Sequence, residues 1–159
     1  GPVLWQFAPT KRYDEDDFAA FLALLPGEQD GLALSHAVEV RHESFVCEGF
    51  VALARRHGVA IVVADHPGYP QIADLTAGFV YARVQTSSEN HAAGHSVDRI
   101  DEWAGTARSW AEGHAPQGLT YAAPREKPAE VGRDVYLFMI GGAKVRNPAA
   151  AQALIGRLE

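Results

Sequence analysis

The sequence predicts an α/β fold built on a parallel sheet, and three observations carry that expectation. Short β-rich runs alternate with helical periodicity five times along the 159 residues. The central run, AIVVAD at Ala60–Asp65, is almost continuously apolar, as a strand covered on both faces is. No Gly-rich dinucleotide fingerprint follows the first run, and polar residues recur where the runs end. Together these lean away from an open doubly wound sheet and towards an incomplete parallel (β/α) barrel of TIM type, with about five β/α units.

Taken in order, the first run is VLWQF at 3–7, followed by the turn-forming Ala8-Pro9-Thr10. Asp14 then offers an N-cap to a helix whose apolar face is Phe18, Phe21, Leu22 and Leu25, spaced i, i+3, i+4, i+7, and Pro26-Gly27 stop it. The second run, HAVEVR at 36–41, leads to a helix capped by Ser44 that carries Val46, Phe50, Leu53 and Ala54, with Gly58 just past its end. Between AIVVAD and the fourth run, FVYARV at Phe79–Val84, only residues 66–78 remain, so a stub of helix is expected near 72–75. A polar loop, QTSSENHAAGH at 85–95, precedes a helix from Ser96 with Ile100, Trp103, Ala107 and Trp110 inside and Gly113 closing it. The segment 114–133, containing Pro116, Pro124 and Pro128, has no periodicity and reads as a Pro-rich loop within a single domain, 1–159. The fifth run, DVYLFMI at 134–140, ends in Gly141-Gly142. Asn147 as cap and Pro148 in the first turn then start a last helix.

Composition bounds the function classes. Hydrophobic residues make up 47% and charged residues 21%, which excludes a disordered chain. With 14 Lys+Arg against 20 Asp+Glu the formal charge is −6, which argues against non-specific nucleic-acid binding. No apolar run is long enough to span a membrane, and no basic-then-apolar leader is visible. A single cysteine, Cys47, excludes an internal disulfide and fits a reducing compartment, so a cytoplasmic location is expected.

Strand parity organises the candidate functional residues. Glu39 and Arg41 share a face of the second run, Arg83 lies above Tyr81 on the fourth, Gln6 above Leu4 on the first, and Asp65 above Val63 and Ile61 on the third. If these faces point the same way, Gln6, Glu39, Arg41, Asp65 and Arg83 form one polar layer where the strands end, the end at which barrel enzymes place their chemistry. Arg41 and Arg83, with Gln6, His42 and Tyr81 beside them, suit an anionic substrate group, because a guanidinium fork fits phosphate or carboxylate. Glu39 or Asp65 is then the candidate general acid or base. The loop after the fifth run is a second anion candidate. Gly142 permits close backbone approach, Lys144 and Arg146 add charge, and a helix start follows. His42 and His66 on the same rim lack short metal-ligand spacing and sit beside arginines, so no metal and no cofactor are expected.

The runs GPVLWQFAP (1–9), HAVEVRHESF (36–45), GVAIVVAD (58–65) and TAGFVYARV (76–84) occur in the order found in the YecE-like family, domain of unknown function 72, which the chain resembles. The segment DVYLFMIGGAKVRNPAAA resembles the terminal strand and helix of one branch of that family. The resemblance implies a TIM-barrel-like fold without an established activity. It also implies that this chain covers strands four to eight, with roughly 90 residues lying upstream. Gln85-Thr86 stands where the family often has His-Gly, and Ile140-Gly141 where it often has paired Asn.

Three functions compete on this reading: an enzyme acting by acid/base catalysis on a small phosphate- or carboxylate-bearing substrate; a nucleic-acid-binding or metal-dependent phosphodiesterase-like barrel; and a non-catalytic scaffold whose polar layer is a structural ion network. Five parallel strands leave two unpaired sheet edges, so the upstream strands or self-association are expected to cover them.

Overall fold

The computed structural model describes residues 1–124 and 131–159. Its elements are β1 (Val3–Gln6), α1 (Glu15–Ala23), β2 (Glu28–Gln29), β3 (Leu32–Ala33), β4 (His36–Glu39), α2 (Glu48–His57), β5 (Ala60–Asp65), β6 (Phe79–Val84), α3 (Val97–Ala111), β7 (Asp134–Met139) and α4 (Asn147–Leu158). Five strands form one sheet in the order β1-β4-β5-β6-β7, every neighbouring pair parallel.

Strand order follows chain order without reversal, and the apolar contacts put all four helices on one face. Val38, Val40 and Ile61 pack with Phe18 and Leu22 of α1 and Phe50, Val51 and Leu53 of α2. Val63, Val80, Ala82, Val84 and Met139 pack with Ile100 and Trp103 of α3 and Ala150 and Leu154 of α4. The opposite face carries Ala37, Ala60, Val62 and Tyr81, with Leu4, Phe79 and Tyr136 against them and no helix residue among the described residues. A doubly wound sheet reverses its strand order and covers both faces. This singly wound arrangement is the one a partial TIM-like fold has.

Local chemistry explains most element ends. The Asp14 carboxylate accepts from Asp17 N at 2.9 Å and Ser96 Oγ from Arg99 N at 3.2 Å, which caps α1 and α3. Gly58 ends α2 at φ +61°, a conformation that favours glycine. Phe18, Phe45 and Phe50 meet edge-on with centroids 5.0–5.4 Å apart and fix α1 and α2 against each other.

Three local expectations are corrected, and one hairpin is added. Ser44 does not cap α2. Glu43–Phe45 form a 3₁₀ turn capped by His42, whose Nδ1 accepts from Ser44 N at 3.1 Å, and α2 starts only after Cys47. That turn lets Phe45 reach the aromatic cluster, and Ser44 Oγ instead accepts from Tyr13 N at 2.8 Å. Nor does Asn147 act as a side-chain cap. It is the first residue of α4, behind a 3₁₀ turn at Lys144–Arg146, and its amide donates to Gly141 O at 3.0 Å. The hairpin β2–β3 was not expected, although Asp30-Gly31, at φ +52° and +78°, is the two-residue turn such hairpins favour.

Finally, no helical stub forms at 72–75. Part of the Pro-rich segment lies there instead. Ala73 N donates to Thr120 O at 2.8 Å, and the buried Asp74 carboxylate accepts from Ala122 N at 2.7 Å and Ala123 N at 3.2 Å. Residues 119–123 thus take the place of a crossover helix; residues 125–130 of the expected loop lie outside the described residues. Asp74→Ala removes both acceptors and should destabilise the chain by about 2–4 kcal/mol, with Asp74→Asn costing less because one acceptor remains. Urea unfolding of the three proteins checks this.

Candidate functional site

The helix-free face turns polar towards the strand C-terminal ends. Register places Gln6 opposite Glu39 and, two strand pairs further on, Tyr81 opposite Val62. Glu39 is fully buried at 0% exposure. Its Oε1 accepts from Arg41 Nε at 2.7 Å, and its Oε2 accepts from Arg83, whose same Nη1 also donates to Gln6 Oε1 at 2.9 Å. A carboxylate without water survives only when paired and hydrogen-bonded, and here both of its oxygens are. The cluster holds two guanidiniums and one carboxylate, so its formal charge is +1.

Aromatic rings wall this cluster. The Arg41 guanidinium lies 4.5 Å from the Tyr69 ring centre, and Tyr69 stacks on His66 at 4.0 Å. Tyr81 stacks on Phe138 at 4.9 Å. Burial pushes the Tyr81 hydroxyl up from its ordinary value near 10.0, opposed by the Arg83 charge, so the phenol stays protonated at neutral pH.

Asp65 does not join the layer. It has the parity of Ile61 and Val63, which face the helices, and it is held there by Arg99 Nη2 of α3 at 2.9 Å and by Thr86 Oγ at 2.9 Å. The residues of β5 that face the guanidiniums are Ala60, Val62 and Ala64, with Ala64 in register with Arg83. His42 stands at the rim but uses its ring locally, with Ser44.

The Gly-Gly loop is also built for another purpose than expected. A Cβ on Gly142 would come 2.2 Å from Ser87 O, so the close approach that glycine permits is to the chain's own backbone. Ala143 N donates to that same oxygen at 3.0 Å, and Ser87 Oγ donates to Asn147 Oδ1 at 2.7 Å. Lys144 and Arg146 are exposed beside this closed loop.

Two features escaped the sequence reading. Tyr69 sits in an aperiodic loop, and only its neighbour His66 hinted at the rim. His95, at the end of the polar loop 85–95, is buried to 8% exposure near Asp65 and Arg99, with no partner for Nε2 among the described residues. A cavity of about 670 Å³, lined by His36, Val59, Phe79 and Tyr136 among others, opens at the opposite end, where the strands begin. Among the described residues no group of three or more His, Cys, Asp or Glu side chains is arranged to hold a metal ion, and no helix is long and apolar enough to cross a membrane.

The family model described as protein of unknown function DUF72 matches residues 1–159. Among solved structures the chain is similar to a DUF72 family protein from Thermotoga maritima, with a TM-score of 0.63 and 19% identity over 96% of this chain and 54% of that one. It is also similar to a DUF72 family protein from Enterococcus faecalis, with a TM-score of 0.62 and 13% identity over 99% of this chain and 59% of that one. The chain thus spans a little over half the length of these relatives, and at such identities the likeness speaks for the fold. No curated protein matches it.

Two outcomes follow from the site's electrostatics. Glu39→Gln leaves two enclosed guanidiniums facing a neutral amide and should cost about 3–5 kcal/mol of stability by urea unfolding. Burial, reinforced by Arg99 and His91 against Asp65, depresses the His95 pKa below its ordinary 6.5. A depressed base leaves stability intact above 6.5 and removes it as pH falls through that value towards the folded pKa. The slope is at most about 1.4 kcal/mol per pH unit. Unfolding curves between pH 7.5 and 5.5 should therefore fall more steeply for the wild type than for His95→Gln.

Proposed function

The chain belongs to the DUF72 family, and from its polar layer we propose that it binds a small phosphate- or carboxylate-bearing molecule on the helix-free face, between Arg41 and Arg83. The observation that carries this is the charge imbalance: two guanidiniums share a single buried carboxylate, and each has N–H donors beyond those it gives to Glu39. An excess positive charge on a largely enclosed face is costly unless an anion completes it. In this reading Gln6 and Glu39 hold the guanidiniums in place, and Tyr81 supplies a neutral hydroxyl beside them.

The acid/base part of the enzyme reading rests on Glu39 alone, since Asp65 faces α3. Because both Glu39 oxygens are already engaged, binding is the better-supported half of that reading. We read the singly wound sheet as part of a TIM-type barrel, which places the layer at the end where such barrels work. The free Cys47 suits a reducing compartment such as the cytoplasm. The scaffold reading has its own support in the complete pairing of Glu39. For the phosphodiesterase reading, Glu39 is the one carboxylate of this polar layer among the described residues.

Titrating inorganic phosphate and acetate while following backbone amides tests the proposal. Shifts should centre on Gln6, Arg41 and Arg83, and Arg41→Met or Arg83→Met should weaken binding about 10-fold or more, the loss of a charge-assisted hydrogen bond. Folded variants that bind as the wild type does, or a wild type whose amides do not move, would leave the layer as a structural network.

A further inference from the structure

Resting on the anion reading above, we propose that the layer selects a ligand group with a single negative charge, a carboxylate, and rejects the dianion of a phosphate monoester. The selection follows from the charges present. Glu39 is fully buried and accepts from two guanidiniums, Arg41 Nε at 2.7 Å on Oε1 and Arg83 Nη1 on Oε2. Both arginine side chains are mostly covered, at 16% and 17% exposure. One ligand charge brings the cluster to neutrality, and a second has no counterpart. A ligand carboxylate also repeats the geometry of Glu39, a planar pair of acceptors against a guanidinium fork.

Among the described residues, nothing else on this face adds a cation. Asp65 and Arg99 pair with each other on the helix side of the sheet. From β5 the face receives Ala60 and Val62, and from β7 Tyr136 and Phe138. At the rim, His42 Nδ1 accepts from Ser44 N at 3.1 Å and His66 Nδ1 from Gly68 N at 3.0 Å, which a protonated ring nitrogen cannot do. Glu39 itself sets the penalty for a second charge. An anion that bridges Arg41 and Arg83 lies beside the carboxylate those same side chains hold. A like charge so placed disfavours further ionisation by about one pKa unit or more, roughly a 10-fold effect on affinity.

Acetate, dimethyl phosphate and methyl phosphate separate charge from shape. The first two carry one charge between pH 5.5 and 7.5, whereas methyl phosphate, with a second pKa of about 6, passes from mostly one to mostly two. In amide-shift titrations of the full chain at pH 7.5, methyl phosphate should bind about 10-fold or more weaker than dimethyl phosphate, and at pH 5.5 within about 2-fold of it. The ratio at each pH cancels titration of the protein's own histidines, which both esters meet alike. Gln6, an exposed acceptor for Arg83 Nη1 at 2.9 Å, provides a second arm. Gln6→Lys adds one positive charge to the layer and should narrow the gap at pH 7.5 about 3-fold or more. Methyl phosphate binding as well as dimethyl phosphate at pH 7.5, a ratio unchanged by pH, or a gap that Gln6→Lys leaves unmoved overturns the charge selection while the anion site stands. Binding of only one of acetate and dimethyl phosphate marks selection by shape and overturns it too. Failure of all three to bind overturns the anion reading with it.

Discussion

Everything on the helix-free face depends on one buried carboxylate. Glu39 lies on β4 and is fully buried, and its burial is bearable only because Arg41 and Arg83 reach it, one from the end of its own strand and one from β6. That requirement fixes the side-chain geometry. Arg41 must fold back along its own strand, and Arg83 must cross from β6 over β5, where its register partner is the small Ala64. Ala64 is thus part of the ion network, as room through which a long side chain reaches its partner.

The same argument explains why parity on β5 was not legible in AIVVAD. A run apolar at nearly every position gives no alternation to choose a face by, so Asp65 was assigned to the polar layer with Ile61 and Val63. Pairing with the neighbouring strands, not polarity, decides the face. The branched Ile61 and Val63 fill the grooves between helices, whereas Ala60, Val62 and Ala64 sit beside Tyr81 and Arg83. On β1, β4 and β6, where polar and apolar residues alternate, the sequence was enough to bring Gln6, Glu39, Arg41 and Arg83 together. The five strands, the four long helices and the family were legible for a related reason: each has a period, a cap or a distinctive run.

What lay outside the sequence's reach is non-local. The crossover at 66–78 lacks a helix because residues 119–123, far along the chain, fill its place through hydrogen bonds to Asp74 and Ala73. The glycines at 141 and 142 looked like a ligand cradle and instead make room for Gln85 and Ser87, more than fifty residues away. A glycine pair states that something comes close; it does not state what. Tyr69 is legible only once the loop is seen to bring it over Arg41.

The most direct test of the central claim is a double-mutant cycle between Glu39 and Arg83, using Glu39→Gln and Arg83→Met with unfolding free energy as the readout. The account predicts a coupling of about 1.5 kcal/mol or more, the range of close enclosed charge pairs, and near-additivity, within about 0.5 kcal/mol, for the parallel cycle of Asp65 with Arg83. Additive behaviour of Glu39 and Arg83, or a strong coupling of Asp65 to Arg83, would contradict it.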